Sequence, residues 1–125
     1  MIASDTRDWV QEKADKANYN ASDLMGWCAI AAAELHKRLR KAGIKSDIYL
    51  WDGFGAHCYC VVEDHVVDVT ATQFRQYADQ PIVIKHMKEA EVCDFHTGDK
   101  VFSSPRELRV YQKEHRWPSQ QIAYA

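Results

Sequence analysis

The pattern of apolar and polar positions changes at Gly43. Ahead of it, apolar residues return at steps of three and four; behind it, they alternate or run together in short blocks. Within residues 4–17, Trp9, Val10, Lys13, Ala14 and Ala17 follow the helical step, with Asp5 and Asp8 in the first turn, where the helix dipole favours negative charge. This stretch predicts an amphipathic helix that flanks or covers the rest. The following segment is more regular. Cys28, Ala32, Leu35, Leu39 and Ala42 share one face, while Lys37, Arg38, Arg40 and Lys41 crowd the closing turns. It reads as a buried helix with a cationic end, opened by a cap at Asn20, Ser22 or Asp23 and closed by Gly43 with Ile44 behind it. Cys28 then lies near the helix N-terminus.

Beyond Gly43 the residues are those of strands. Ile-Tyr-Leu-Trp at 48–51 is followed by an Asp-Gly-Phe-Gly turn at 52–55 and by His-Cys-Tyr-Cys-Val-Val at 57–62. Polar residues 63–65 interrupt the run, and Val-Val-Asp-Val-Thr at 66–70 resumes it, which predicts an antiparallel meander. Residues 82–84 offer an edge strand. Ser104-Pro105-Arg106-Glu107 is a capping box with proline at the first helical position, starting a helix to about His115 that Trp117-Pro118 ends. Helix, helix, three strands, strand, helix is the order of an α+β domain.

Composition narrows the function. The 125 residues and 14.4 kDa suit one domain spanning 1–125, and 46% hydrophobic with 27% charged residues excludes a disordered or fibrous chain. A formal charge of -2 supplies no field for nucleic acid or anionic lipid. The uncharged stretch at 24–33 is about half the ~20 residues of a membrane span, and the first residues lack the basic and apolar parts of a signal peptide. A cytoplasmic protein with no membrane partner is expected, its four cysteines free thiols.

Three residues carry the candidate chemistry: Cys28, His57 and Asp68 are the types that a thiol nucleophile, its base and an orienting carboxylate require. Unpaired N–H groups at a helix start and a neighbouring imidazolium both stabilise a thiolate. Gly26 leaves room beside it for a substrate carbonyl. For His57 to meet Asp68 the two must share a sheet face. A two-residue turn at Glu63-Asp64 pairs Val62 with His65 and Tyr59 with Asp68, making Asp68 the diagonal same-face neighbour of His57; a three-residue turn without a bulge would send Asp68 to the face of Cys58 and Cys60. A zinc site from Cys28, His57, Cys58, Cys60 and Cys93 is the competing reading, but no Cys-x-x-Cys knuckle occurs, and neither metal nor cofactor is expected. The basic run 37–41 reads as a solvated helix end rather than a phosphate site, and no phosphate-loop, dinucleotide or zinc-peptidase motif is present.

Residues 26–70 resemble the transglutaminase-like core of the papain-like cysteine hydrolase superfamily. The likeness rests on Gly26-Trp27-Cys28, Ala32, Leu39-Arg40 and Gly43-Ile44 in the helix, His57-Cys58-Tyr59 in the strand, and Asp68-Val69-Thr70 after the hairpin. It implies a small papain-like domain with the nucleophile helix packed on an antiparallel sheet. It further implies Cys28 as nucleophile, His57 as general base and acid, Asp68 as orienter of the imidazole, and the Cys28 N–H as part of an oxyanion hole.

The expected activity is therefore amide hydrolysis through a thioester, by a peptidase or amidase acting on a protein or peptide. The same triad serves an acyltransferase, a transglutaminase or a glutamine deamidase, and a silent binding module on the same fold is the non-enzymatic alternative. Trp27, Trp51, Phe54 and Gln73 are expected to line the cleft, with Gln73 a candidate donor to the oxyanion.

Overall fold

A computed structural model describes residues 1–17, 24–53 and 55–124. The caps expected at Asn20, Ser22 or Asp23, and Phe54, lie outside the described residues. Helix α1 (Ile2–Lys16) precedes α2 (Cys28–Lys41), then strands β1 (Asp47–Asp52), β2 (Ala56–Val62) and β3 (His65–Asp68). Strand β4 (Val83–His86), the short helix α3 (Met87–Ala90), β5 (Lys100–Phe102) and α4 (Pro105–Glu114) complete the main elements. The five strands form one antiparallel sheet in the order β4-β3-β2-β1-β5. The molecule is thus a small α+β domain.

Helix α2 packs on β2, and its run of alanines at 29 and 31–33 lets the backbone lie close to the sheet. Leu35 and Leu39 fill the space against Ile48 and Leu50. Burying one such leucine stabilises by roughly 1.5–3 kcal/mol, and Leu35→Ala would cost roughly 2–5 kcal/mol. Helix α1 flanks α2 through Ala3, Val10 and Ala14. Two residues assigned to apolar helix faces are exposed, Ala17 and Ala42, because each is the C-cap, where the helix has ended. Gly43 takes φ 80° and Ile44 N–H closes back on the Leu39 carbonyl at 2.8 Å, the expected helix stop. The basic end is partly tied: Arg38 Nε meets Glu34 at 2.9 Å, and its guanidinium lies 6.0 Å from the Trp9 ring.

The β2–β3 register is the expected one, with Val62 opposite His65, Val61 opposite Val66 and Cys60 opposite Val67. Glu63 adopts φ 53° to make the tight turn. One sheet face, with Ile48, Leu50, Cys58 and Cys60, meets α2; the other, with Tyr59, Val61 and Val66, is covered by Ala90 and Met87 of α3. The edge strand expected at 82–84 is β4, which continues to His86. Helix α4 starts from Ser104, whose hydroxyl accepts from Glu107 N–H, while the Glu107 carboxylate accepts from Ser103 N–H at 2.8 Å.

Strand β5 and helix α3 escaped the sequence pattern, because three strand residues barely alternate and four residues make only about one helical turn. Residues 93–98 lie beneath the sheet and run along β1 so closely that a Cβ on Gly98 would sit 2.5 Å from the Leu50 carbonyl oxygen. Only glycine fits that approach.

Candidate active site

Cys28 is the first residue of α2, whose N-cap, Trp27, makes no side-chain capping bond. The first N–H groups of a helix lack intrahelical acceptors, so the sulfur stands at the positive end of a 14-residue helix. Its Sγ lies 3.9 Å from the Ala56 carbonyl oxygen, at the beginning of β2. Gly26 precedes it with φ 87°, and a Cβ there would meet the Gln121 amide at 3.4 Å. Both that backbone angle and the neighbouring tail favour glycine.

The residue after Ala56 is His57, fully buried. Its Nε2 lies 2.6 Å from Asp68 Oδ2, the contact that the two-residue turn predicts. The Phe74 ring stands edge-on to the imidazole at 4.7 Å and stacks on Phe95 at 3.7 Å, which screens the pair from water. With Nε2 committed to Asp68, Nδ1 is left for Cys28. It also receives the amide N–H of Gln73 at 3.0 Å, and that amide is oriented by a second bond to the Thr70 carbonyl at 3.1 Å.

Asp68 is 1% exposed and has every acceptor position filled. Oδ1 accepts Thr70 N–H at 2.9 Å and the Thr70 hydroxyl at 3.4 Å. Oδ2 accepts a second imidazole, Nε2 of His96, at 2.7 Å. His96 comes from the turn Asp94–His96, and its Nδ1 faces Cys93 Sγ at 3.7 Å.

Charge follows from this packing. Hydrogen bonding to Cys58 holds the Cys28 thiol well below its ordinary range, against the cost of burial, with His57's hydrogen bond and charge acting the same way. Burial pulls His57 down, but the charge and hydrogen bond of Asp68, with Cys28 behind them, push it up to about 10. Burial opposes ionisation of Asp68, yet His57 and His96 together hold it far below the usual carboxylate range. Cys58 is pushed well up, first by its bond to Cys28 and then by burial; burial also raises Cys60. Gln73 works against the imidazolium, since an N–H aimed at Nδ1 requires a lone pair there. A proton moving onto Nδ1 must turn that amide away.

An open cleft of about 960 Å³ reaches Cys28. Trp51 and Gln73 are among the residues that line it, together with Phe74 and with Arg116, Trp117 and Gln121 of the C-terminal segment. Trp27 is not among the lining residues; it packs against the apolar core, because the tight turn before α2 directs it inward.

The thiols do not gather into a zinc site: Cys60 donates to the Ala32 carbonyl at 3.2 Å, and Cys93 stands beside His96. Among the described residues the group with metal-ligating atoms in reach is His57, Asp68 and His96, within 4.8 Å. At 2.6 and 2.7 Å these atoms are in direct hydrogen-bond contact, which describes a bonded cluster rather than a ligand cage. Sequence reasoning missed His96, Phe74 and the tail. The Cys93-Asp94-Phe95-His96 spacing was the available signal for His96. Comparison with family models, with curated proteins and with solved structures gave no match for this chain.

Proposed function

We propose that the chain is a papain-like, transglutaminase-like cysteine hydrolase, a peptidase or amidase acting on a protein or peptide in a reducing, cytoplasmic setting. The observation that carries this reading is the buried His57–Asp68 bond of 2.6 Å beside a thiol at a helix N-terminus that opens on a cleft. A carboxylate on Nε2 fixes the imidazole proton there and leaves Nδ1 basic, toward the sulfur. All four thiols are free, as a reducing compartment requires.

In the proposed reaction His57 Nδ1 takes the Cys28 proton and the thiolate attacks the amide carbonyl carbon. The developing oxyanion is held by the Cys28 N–H, with Gln73, displaced from Nδ1, as the second donor. The imidazolium then gives its proton to the leaving amine, and a thioester to Cys28 remains. Water activated by the same Nδ1 releases the acid. An amine acceptor in place of water would give acyl transfer by the same steps.

The test is the alkylation rate of each cysteine with iodoacetamide against pH, mapped by peptide mass, in wild type and His57→Ala. Cys28 alone should react fast below about pH 7, and the advantage should vanish without His57. A Cys28 that titrates like an ordinary thiol overturns the proposal in favour of a binding module.

A further inference from the structure

His96 is placed for a task that the Cys28–His57–Asp68 reading leaves unassigned, and the role given to it rests on that reading. We infer that His96 is a positioning residue: by donating Nε2–H to the same Asp68 oxygen that takes His57, it locks the carboxylate and thereby the His57 tautomer that can accept the Cys28 proton.

An ionised carboxylate has about four acceptor positions, and here each is used. Two go to Thr70 on Oδ1 and two to the imidazoles on Oδ2. Rotation of the carboxylate about its Cβ–Cγ bond would break several of these at once in a site closed to solvent. Without the His96 donor, Oδ2 keeps one partner and an empty buried acceptor position. The carboxylate then gains by turning, and a His57 ring released from it can carry its proton on Nδ1. That tautomer has no lone pair facing Cys28.

The surroundings of His96 aim it at this single task. Its ring is 2% exposed and packed among Tyr59, Tyr77 and Phe95. The segment that delivers it is anchored where Gly98 N–H bonds the Tyr59 hydroxyl at 3.0 Å. Burial holds His96 below its ordinary range, against Asp68, with His57 and Lys85 also disfavouring its charge. Asp94, beside it in its own turn, shows no bond to the ring among the described residues. His96 therefore supplies an N–H but no second positive charge.

The experiment compares His96→Gln, whose amide N–H reaches the place of Nε2, with His96→Asn, whose shorter amide stops near the place of Nδ1. Both are polar, and circular dichroism with thermal melting selects conditions in which each is folded. Two readouts are taken: the Cys28 alkylation rate at about pH 7, and, above about pH 10 where the His57 ring is neutral, its tautomer from long-range proton–nitrogen NMR of ¹⁵N-labelled protein. His96→Gln should stay within about threefold of wild type with His57 protonated on Nε2. His96→Asn should lose about tenfold in alkylation, the worth of one hydrogen bond to a charged group, and show mixed tautomers. A folded His96→Asn with wild-type rate and pure Nε2 tautomer overturns the inference. An inert Cys28 in the wild type overturns the hydrolase reading alone, and the tautomer then still decides the role of His96.

Discussion

His57 and His96 make the same bond to the same oxygen, yet they are driven in opposite directions. Each is buried, each gives Nε2–H to Asp68 Oδ2, and each has a thiol beside its ring. His57 is pushed up to about 10, while His96 is held below its ordinary range. One carboxylate charge accommodates one buried imidazolium, and the ring that is protonated first disfavours the other through their mutual repulsion. Position on the frame decides which. His57 lies at the start of β2, against the thiol at the N-terminus of a long helix, whereas Cys93 and His96 sit on a short turn with no helix behind it. Similar parts therefore produce a candidate reactive pair on one side and a neutral brace on the other.

The largest expected effect breaks the asymmetry at its source. Cys28→Ser and His57→Ala should each reduce the proposed amide hydrolysis by roughly 10⁴-fold or more with little change in folding, and Asp68→Asn by roughly 10³–10⁴-fold because the amide lets His57 take the wrong tautomer. Steady-state rates on a substrate found after the alkylation test would measure this, and an Asp68→Asn enzyme with wild-type kinetics would remove Asp68 from the mechanism.

A second effect concerns stability against pH. A raised His57 stabilises the fold fully below its ordinary 6.5, and that contribution is lost as pH rises toward about 10. A lowered Cys28 stabilises the fold above its ordinary 9.0 and loses that contribution as pH falls. Between these values the folded pair and the unfolded pair hold the same number of protons, one on His57 and one on the thiol respectively, so wild-type stability should be nearly flat. Cys28→Ser leaves the His57 proton uncompensated. Its unfolding free energy should decline from about pH 6.5 upward, by up to about 1.4 kcal/mol per pH unit, until His57 titrates in that variant. On the acid side His96, lowered by burial, costs stability as pH falls below 6.5, and Asp68 adds to the loss below its ordinary 3.8. Parallel curves for the two proteins in urea melts between about pH 6.5 and 9 would contradict the ion pair.

The smallest effect sharpens the picture of Nδ1. Gln73→Ala removes an N–H that competes with the proton, so Cys28 alkylation at about pH 6 should rise by roughly threefold, about half the worth of a hydrogen bond. An unchanged or slower rate would mean that Gln73 does not oppose the imidazolium.

How far the chain alone led is clearest in β2 and β3. The Glu63-Asp64 turn is two residues long, and strand parity then places Asp68 on the His57 face with no further information. The same holds for Cys28, since helix period and a closing glycine locate it near the helix start. Trp27 was legible only as an aromatic beside the cysteine, fit either to line the cleft or to pack, and the structure sets it half-buried against the core. Its direction depends on backbone angles that no spacing encodes.

The alternation of residues, the tight turn and the glycine at position 43 are local features, so they determined the helices, the meander and the His57–Asp68 register. Local steric rules act over a few residues and leave a mark in the sequence. His96 on the second acceptor position of Asp68 Oδ2, the C-terminal segment lining the same cleft as Trp51, and β5 beside β1 all join parts of the chain 28 or more residues apart. The space left by packed neighbours settles such contacts, as where the Leu50 carbonyl admits only glycine at 98, and that space exists only once the sheet and its helix have come together.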